Sequence, residues 1–181
     1  MCFVGIGGGG SNIVEQIAKI DDSHGFVHMN SDLQALQQKK HGSRLILGYE
    51  DKQGLGCGAN VKCGTKLFND AMAIQFQAMI PEETILCLVS TLGGGVGSGV
   101  TPQVARYLKA TKQKFEVIVV MPFIFEGKKR HATAIQSLSD IKQYRKNVTL
   151  IHNDDWIVQG SKKGFTESLV DISREVYKKV S

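Results

Sequence analysis

The sequence predicts an α/β protein with a doubly wound, mainly parallel sheet and helices on both faces. Short and almost continuously apolar runs alternate with segments that have helical periodicity. Strands that are buried on both faces of a parallel sheet have such runs, and regular β–α alternation is typical of crossover connections. A chain of 181 residues can bury one sizeable core, so we expect a single domain over residues 1–181.

Six strands and six helices are predicted, each strand from an apolar run and each helix from the amphipathic segment that follows it. The predicted strands are Cys2–Ile6, Phe26–Met29, Arg44–Leu47, Thr84–Ser90, Glu116–Met121 and Val148–Ile151. The predicted helices are Ser11–Ile20, Leu33–Lys40, Val61–Met79, Val100–Ala110, Lys129–Lys146 and Thr166–Val180. Ligands of such sheets bind outside the carboxyl ends of the strands, so the connections that follow the strands are the candidate functional segments.

The first and fourth strands run into glycine-rich turns, and each turn opens a helix. The turns are Gly5-Ile-Gly-Gly-Gly-Gly10 and Gly93-Gly-Gly-Val-Gly-Ser-Gly99. Glycine has no Cβ and tolerates positive φ, so successive N–H groups can face one anion, and the helix N-terminus adds partial positive charge. A lone turn could be a tight connection without a ligand. Two of them at one rim of the sheet predict a polyphosphate ligand held from both sides.

The second and third strands lead to two further candidate segments. Met29-Asn-Ser-Asp-Leu-Gln34 has polar side chains that could cap the next helix or reach a ribose, a phosphate or a metal-bound water. Asp32 also has the spacing of the ribose-binding acid of dinucleotide folds, which keeps a nicotinamide hypothesis open. Gly54-Leu-Gly-Cys-Gly-Ala-Asn60 is suited to closing over a terminal phosphate. Cys57 in this loop is either a reactive thiol or a small side chain that fills a gap.

The fifth and sixth strands are followed by charged and amide side chains. Glu126 and Arg130 are four residues apart in Pro122-Phe-Ile-Phe-Glu-Gly-Lys-Lys-Arg130. They could form an ordinary surface pair, or Glu126 could accept from ribose hydroxyls while Arg130 meets phosphate or base. Asn153 could belong to a simple turn, or its amide could donate and accept as purine recognition requires. We interpret Asp154 and Asp155 as a helix cap.

The amino-acid composition and charge of the chain exclude several classes of function. Hydrophobic residues make up 42% and charged residues 22%, as in globular proteins, and no apolar stretch has the length of a membrane span. The start of the chain lacks the features of a signal peptide, so we expect a cytoplasmic protein without direct membrane insertion. The net charge of +5 comes from scattered residues without a nucleic-acid motif, so no nucleic-acid partner is expected. The cysteines form no CxxC pair and the histidines have no ligand spacing, so we expect neither disulfides nor zinc.

Taken in order, these segments resemble the GTP-binding domain of the tubulin/FtsZ family, and within it that of the bacterial cell-division GTPases. Gly5–Asn12 resembles the first nucleotide loop of the family, and Asn30–Leu36 resembles its NTDAQAL segment. Three further segments are similar to family motifs, namely Gly54–Asn60 to GLGAGAN, Gly93–Gly99 to the signature GGGTGTG, and Pro122–Arg130 to PFxFEGxxR. His152-Asn-Asp154 lies where the family has PND.

The resemblance implies GTP or GDP bound with Mg²⁺, head-to-tail assembly with itself or a full-length homologue, and hydrolysis completed at the contact between subunits. It implies that the phosphates are held by Gly8, Gly9, Asn12, Gly93, Gly94, Gly95, Val96, Gly97 and Ser98. Ala59 and Asn60 would sense the γ-phosphate, Glu126 would meet the ribose, and Arg130 and Asn153 would address the guanine. Asn30 would join the same site, and Asp32 and Gln34 would lie near the magnesium waters.

The chain also departs from the family pattern. Val96 replaces a threonine of the signature turn, and Val170 and Arg174 stand where the family has a base-stacking aromatic and a guanine-reading acid. The resemblance implies a second domain and a carboxylate-bearing catalytic loop that we do not find before Ser181. We therefore nominate no catalytic residue and expect weak or no GTPase activity from this chain alone. Two alternatives stay open: a non-hydrolysing scaffold of the same architecture, and a dinucleotide-binding oxidoreductase domain based on Gly5, Gly7, Gly10 and Asp32.

Overall fold

Six parallel strands form one sheet in the order β3-β2-β1-β4-β5-β6 in the computed structural model, which describes residues 1–52, 54–156 and 165–180. The strands are β1 (Cys2–Ile6), β2 (Gly25–Asn30), β3 (Ser43–Ile46), β4 (Leu86–Thr91), β5 (Phe115–Met121) and β6 (Thr149–His152). All neighbouring pairs are parallel. The predicted fold class is confirmed, and each strand lies within a few residues of its predicted position because buried apolar runs identify such strands well.

The helices differ more from the prediction. They are α1 (Gly7–Ile20), α2 (Leu33–Gln37), α3 (Tyr49–Lys52), α4 (Val61–Leu67), α5 (Asp70–Ala78), α6 (Gly95–Ala110), α7 (Lys128–Lys142) and α8 (Phe165–Lys178), with 3-10 turns at Ile124–Glu126 and Asn153–Trp156. α3 was not predicted. The predicted helix Val61–Met79 is divided, because Asn69 starts a new helix by accepting a hydrogen bond from the Met72 N–H at 3.0 Å. Within the described ranges, no helix combines the length and the apolar character needed to cross a bilayer.

The core lies in two layers, one on each face of the sheet. Successive strand residues point to opposite faces, as Phe3 and Val4 do in β1. On one face, strand side chains pack with residues of α5 and α6, namely Phe76, Val104, Ala105 and Leu108. On the other face they pack with residues of α1 and α8, namely Ile13, Val14, Ile17, Ile172 and Val176. This arrangement confirms the predicted doubly wound architecture.

The direction of winding reverses between β1 and β4. The connection through α1 leads from β1 to β2 on one side, and the connection through α6 leads from β4 to β5 on the other. β1 and β4 are paired so that Ile6 lies beside Ser90. The glycine turns that follow these two strands therefore start next to each other, at the position where sheets of this kind have a crevice.

A buried polar network joins α1, β2 and the segment before β3. Glu15 of α1 accepts hydrogen bonds from Nδ1 of His41 (3.0 Å) and from the N–H of Lys40 (3.1 Å). The fully buried ring of His28 in β2 donates from Nε2 to the carbonyl oxygen of His41 (2.9 Å). Burial lowers the pKa of His28 from 6.5 to about 4, although the negative charge of Glu15 opposes this shift.

Candidate functional site

A cavity of about 650 Å³ opens at the carboxyl ends of β1 and β4. The first turns of α1 and α6 line one part of it. Other parts are lined by the residues that follow β2, by the loop before α4 and by the segment that follows β5. Of the predicted site residues, the lining includes Gly8, Gly9, Asn30, Asp32, Gly94, Gly95, Val96, Gly97, Glu126, Arg130 and Asn153. The fold thus brings together residues from five separate segments of the sequence.

Both helices that start at the cavity lack a side-chain cap. Neither α1 nor α6 has a side-chain hydrogen bond at its N-cap residue, Ile6 or Gly94, and neither carries an acidic residue in its first turn. The N–H groups of a first helical turn have no intrahelical acceptor, and the helix dipole makes this end attractive to an anion. Main-chain donors therefore face the cavity from two helices.

The glycines of the two turns have two different structural roles. A Cβ at Gly9 would collide with the Thr91 side chain, and one at Gly97 would collide with the Thr91 carbonyl oxygen, so both positions let a helix approach β4 closely. At Gly8 the nearest described atom to such a Cβ is Asn30 Nδ2 at 3.9 Å, and at Gly94 no described atom lies within 4 Å. Gly8 and Gly94 therefore leave open space where they line the cavity.

Within the α6 turn, hydrogen bonds distinguish residues that shape the turn from residues that face the cavity. Ser98 is buried, and its Oγ accepts from the Gly93 N–H at 2.8 Å. The Gly95 N–H already donates to the carbonyl oxygen of Gly58 at 3.0 Å. The N–H groups of Val96 and Gly97 lie in the first turn of α6, where helix geometry provides no intrahelical acceptor, so they are available to an anion. The apolar side chain of Val96 lines the cavity where a threonine would offer a hydroxyl group.

The loop before α4 forms a wall of the cavity. The Gly56 N–H donates to the carbonyl oxygen of Ser31 and the Leu33 N–H donates to that of Gly54, both at 3.0 Å, which joins the loop to the end of β2. Gly56, Cys57 and Gly58 line the cavity. The two predicted γ-phosphate sensors lie just outside the lining: Ala59 is exposed, and Asn60 caps α4 by accepting from the Cys63 N–H at 3.1 Å.

The prediction that the chain forms no disulfide is wrong for this loop. Cys57 and Cys63 are bonded, with Cα atoms 5.8 Å apart. The loop folds back onto the first turn of α4, which brings the two cysteines into the range that a disulfide requires. A separation of six residues is not a recognised cysteine signature, so only the fold reveals the pair. Cys2 and Cys87 are free and buried.

The segment after β5 contributes a charged pair to the cavity. Glu126 accepts from the Phe123 N–H at 2.8 Å through Oε1 and pairs with Arg130 through Oε2. The ordinary i,i+4 pair therefore exists, and the same two side chains line the cavity. The carboxylate of Asp154 accepts from the Ile124 N–H at 3.1 Å. Asp154 is thus a cap, as we interpreted it, but the element that it caps is the 3-10 turn Ile124–Glu126.

Two buried polar atoms at the cavity have no hydrogen-bond partner among the described residues. They are Oδ1 of Asn153 and Oγ of Ser31. An unpaired buried polar atom costs free energy, so such atoms mark positions where a ligand or water completes the bonding. Ser31 was not among the predicted site residues. Its place in the polar run that follows β2 was the signal that could have identified it.

The remaining predicted residues near β2 are only partly at the cavity. Asn30 and Asp32 line it, and Asp32 also caps α2 by accepting from the Ala35 N–H at 3.0 Å. Gln34 and Asn12 are not among the described residues that line the cavity. Oδ1 of Asn12 instead accepts a hydrogen bond from Nζ of Lys39.

Aromatic side chains at the cavity were also missed by the sequence analysis. Phe123 and Phe125 stack with ring centroids 4.9 Å apart, and both line the cavity, although Phe125 is 75% exposed. The two aromatics in the segment Pro122–Arg130 were the available signal. Val170 and Arg174 are not among the described lining residues, and Arg174 pairs with Asp171 at 3.7 Å.

Comparison with known sequences identifies a family. Residues 1–159 match the model of the Tubulin/FtsZ family, GTPase domain. Cell division protein FtsZ of Buchnera aphidicola subsp. Baizongia pistaciae (strain Bp) is 32% identical over 155 residues, which are 85% of this chain and 40% of the relative. The chain therefore spans less than half the length of this curated relative.

Solved structures share the fold. A GTPγS-bound protofilament of CetZ2 from Haloferax volcanii superposes with a TM-score of 0.88 at 22% identity, covering 99% of this chain and 56% of that one. An empty FtsZ dimer from M. jannaschii has a TM-score of 0.85 at 26% identity, covering 97% of this chain and 51% of that one. On the family-model match and the similarity to FtsZ, this chain belongs to the tubulin/FtsZ family, with residues 1–159 matching the GTPase domain.

Proposed function

We propose that this chain binds GTP and GDP in the cavity. The observation that carries the proposal is the convergence of two uncapped helix N-termini, those of α1 and α6, on one cavity. A di- or triphosphate has several negative charges and matches two such sets of main-chain donors. Membership of a family of GTPase domains supports the guanosine nucleotide as the ligand, as does the CetZ2 structure with bound GTPγS.

In this proposal the two ends of the cavity bind different parts of the nucleotide. Gly8, Gly9 and the turn from Gly93 to Ser98 would hold the phosphates, and the loop that ends at Ala59 and Asn60 would close over the terminal phosphate. Glu126 would meet the ribose. Arg130 and Asn153 would address the guanine, whose N–H groups match the unpaired acceptor Oδ1 of Asn153.

Mg²⁺ would accompany the phosphates. The described residues contain no group of three or more His, Cys, Asp or Glu side chains that could hold a metal ion alone. Mg²⁺ usually keeps several waters and takes one or two carboxylates together with substrate phosphates. Asp32 at the cavity fits this limited requirement and would orient magnesium-bound waters, with Gln34 further along the same segment.

We further propose that the nucleotide controls head-to-tail assembly with copies of this chain or with a full-length homologue, in cell division or a related cytoplasmic process. The support comes from the relatives: the CetZ2 structure is a protofilament, the M. jannaschii FtsZ structure is a dimer, and the curated relative is a cell division protein. Sedimentation velocity with GTP and with GDP tests this part, because assembly that ignores the nucleotide would contradict it.

A non-hydrolysing scaffold is the second candidate function. Hydrolysis needs a group that orients or deprotonates the attacking water. The carboxylates among the described lining residues are Asp32 and Glu126, and each already accepts a hydrogen bond from the backbone. We propose that the chain alone hydrolyses GTP weakly or not at all. Sustained phosphate release by the purified chain would contradict this.

The oxidoreductase alternative is less well supported. It depended on the glycine spacing after β1 and on Asp32, which caps α2. The loop from Gly54 to Gly58, which a dinucleotide fold does not require, lines the same cavity.

Nucleotide binding is tested by thermal unfolding with GTP, GDP, ATP or NADH, each with magnesium. A ligand at a hundredfold excess over its Kd stabilises the native state by about 2.7 kcal/mol, so selective binding gives a clear shift in Tm. We expect GTP and GDP to raise Tm and ATP and NADH to leave it unchanged. Equal shifts with all four ligands, or no shift with any, would contradict the proposal.

A further inference from the structure

The loop from Gly54 to Asn60 has few apolar contacts that could hold it in place. Leu55 is 85% exposed, and Ala59 and Asn60 are exposed as well. Gly54, Gly56 and Gly58 all have positive φ, which only glycine adopts readily, so the loop is conformationally permissive. Cys57 is the loop residue that packs against the hydrophobic core. Its covalent bond to Cys63 is therefore a major constraint on the loop.

The Cys57–Cys63 disulfide connects the cavity wall to α4, the helix that packs against α6. Cys57 lines the cavity, and Cys63 lies in the first turn of α4. The residue after it, Gly64, packs directly on the backbone of α6, because a Cβ there would collide with the carbonyl oxygen of Gly95. The carbonyl oxygen of Gly58 also accepts from the Gly95 N–H. The disulfide thus closes a short ring that positions the loop against the start of α6.

The two free cysteines differ from this pair. Cys2 and Cys87 are fully buried, and burial raises the pKa of their thiols to about 11 and about 12. Thiols of this kind are inert, because the thiolate is the reactive species. Cys57 and Cys63 are partly exposed, so a small disulfide can reach them. Thiol–disulfide exchange is therefore expected at one pair in the described part of the chain.

We propose that Cys57 and Cys63 form a reversible thiol–disulfide switch that sets the affinity of the cavity for its nucleotide. This inference rests on the proposed nucleotide binding. In the disulfide state the loop is held in the cavity wall, as in this structure. In the dithiol state the loop samples open conformations, and nucleotide binding must first restore the closed one. Disulfides in reducing compartments are usually transient or redox-sensing, which agrees with this role.

The exchange partner is a small disulfide of the glutathione class. A thiolate of the pair attacks one sulfur of glutathione disulfide, forms a mixed disulfide and expels a glutathione thiolate. The second cysteine thiolate then attacks the protein sulfur of the mixed disulfide, forms the Cys57–Cys63 bond and expels the second glutathione thiolate. Two electrons pass from the dithiol to glutathione disulfide, and the two thiol protons go to the two glutathione thiolates. A dithiol reduces the bond by two further exchanges: one of its thiolates attacks the Cys57–Cys63 bond and forms a mixed disulfide, and its second thiolate then releases the protein thiolate and closes the disulfide of the reductant.

The experiment compares the whole chain after equilibration with glutathione disulfide and after treatment with dithiothreitol. Alkylation under native conditions, followed by mass spectrometry, reports the state of Cys57 and Cys63, since Cys2 and Cys87 are buried. Calorimetric titration measures the affinity for GDP in each state. Hydrogen exchange of residues 54–60 without nucleotide reports the loop directly. The double variant Cys57→Ser/Cys63→Ser is the matched control, because it cannot form the bond.

We expect the oxidised chain to bind GDP roughly three- to thirtyfold more tightly than the reduced chain, since closing a short loop removes part of its conformational freedom. The loop should exchange faster in the reduced chain. The double variant should bind GDP like the reduced chain under both treatments. Equal GDP affinities of the oxidised and reduced wild-type chain would overturn the switch and leave the proposed function intact. Failure of the Cys57–Cys63 bond to form with glutathione disulfide would have the same meaning. No GDP binding in either state would overturn the proposed function and the switch together.

Discussion

Gly8 and Gly94 separate the binding role of the glycine turns from their packing role. Both line the cavity, and a Cβ at either position would have no close contact with a described atom. Gly9 and Gly97 line the same cavity, but a Cβ there would collide with Thr91. Substitutions at the two kinds of position should therefore affect different properties of the protein.

We expect Gly94→Ala to keep the stability of the protein and to lose nucleotide affinity. Gly94 has φ −95° and ψ 173°, a conformation that alanine adopts without strain. The added methyl group would occupy the space that a phosphate needs to reach the N–H groups of α6. Losing one charge-assisted hydrogen bond weakens GDP binding by roughly tenfold or more, which calorimetric titration would measure.

Gly97→Ala is the contrasting control for this experiment. Its Cβ would collide with the carbonyl oxygen of Thr91, so this variant should have a lower Tm. If Gly94→Ala bound GDP as tightly as the wild type, the phosphates would not lie where we propose.

Single residues also show what the sequence alone could predict. The Glu126–Arg130 pair is local, four residues apart on one turn, and the structure contains it. The contact of Asn12 with Lys39 joins residues that are 27 apart in sequence. Local spacing could identify the first contact, but only the folded chain could reveal the second.

Helices α1 and α6 begin earlier than predicted, and the reason is tertiary packing. The predicted helices start after the glycine turns, at Ser11 and Val100, and these starts agree with the low helix propensity of glycine. In the structure the glycines form the first helical turns, because Gly9 and Gly97 allow close packing on Thr91 of β4. Helix propensity predicts helix starts only weakly, and tertiary packing overrides it here. The predicted starts of α1 and α6 therefore lie too late in the chain, within the candidate site.

Helices α4 and α6 approach each other through glycines, which the sequence did not indicate. A Cβ at Gly64 would collide with the carbonyl oxygen of Gly95, and one at Gly99 would lie 2.5 Å from the Thr65 nitrogen and 2.7 Å from the Val61 oxygen. The two backbones are therefore in direct contact. Helix α4 also carries Cys63 and the cap Asn60, so its position determines that of the loop in the cavity wall.

We expect Gly64→Ala to destabilise the protein by about 1–3 kcal/mol, the usual cost of overpacking. The new methyl group cannot avoid a backbone atom, so α4 must move away from α6. The same movement should weaken the hydrogen bond from the Gly95 N–H to the Gly58 carbonyl oxygen and reduce GDP affinity. Urea unfolding measures the stability change, and titration with GDP measures the affinity change.

Lys66→Ala, at an exposed position of the same helix, is the matched control and should leave both quantities near the wild-type values. A Gly64→Ala variant with unchanged unfolding free energy would mean that the two helices do not touch as described.

The architecture of the whole chain was easier to predict than its connections. Apolar strands and β–α alternation indicated the parallel sheet, and the glycine turns after the first and fourth strands indicated that their ends share one rim. The observed order, with β1 beside β4, confirms this. The Cys57–Cys63 bond and the network of Glu15, His28 and His41 depend on how loops fold back, and no sequence period encodes such contacts.

The network around His28 couples the stability of the whole domain to pH. The His28 ring donates from Nε2 to the His41 carbonyl oxygen, and its buried Nδ1 has no partner among the described residues. A second proton would therefore sit on a buried nitrogen without an acceptor, which agrees with the pKa lowered from 6.5 to about 4. For Glu15, burial alone would raise the pKa, but hydrogen bonds from His41 and Lys40 outweigh it and hold the pKa below 4.5.

We expect the free energy of unfolding to fall as the pH decreases from 6.5 towards 4. In this pH window His28 binds a proton in the unfolded chain but not in the folded chain, so a lower pH favours unfolding. The free energy of unfolding should fall by at most about 3 kcal/mol over the full pKa shift. Urea unfolding between pH 6.5 and 5, above the range where Glu15 titrates, should show this slope in the wild type. His28→Gln should reduce the slope whatever its own stability, whereas His152→Gln, at an exposed position, should keep it. A His28→Gln variant with the wild-type slope would show that this histidine is not what links folding to protons.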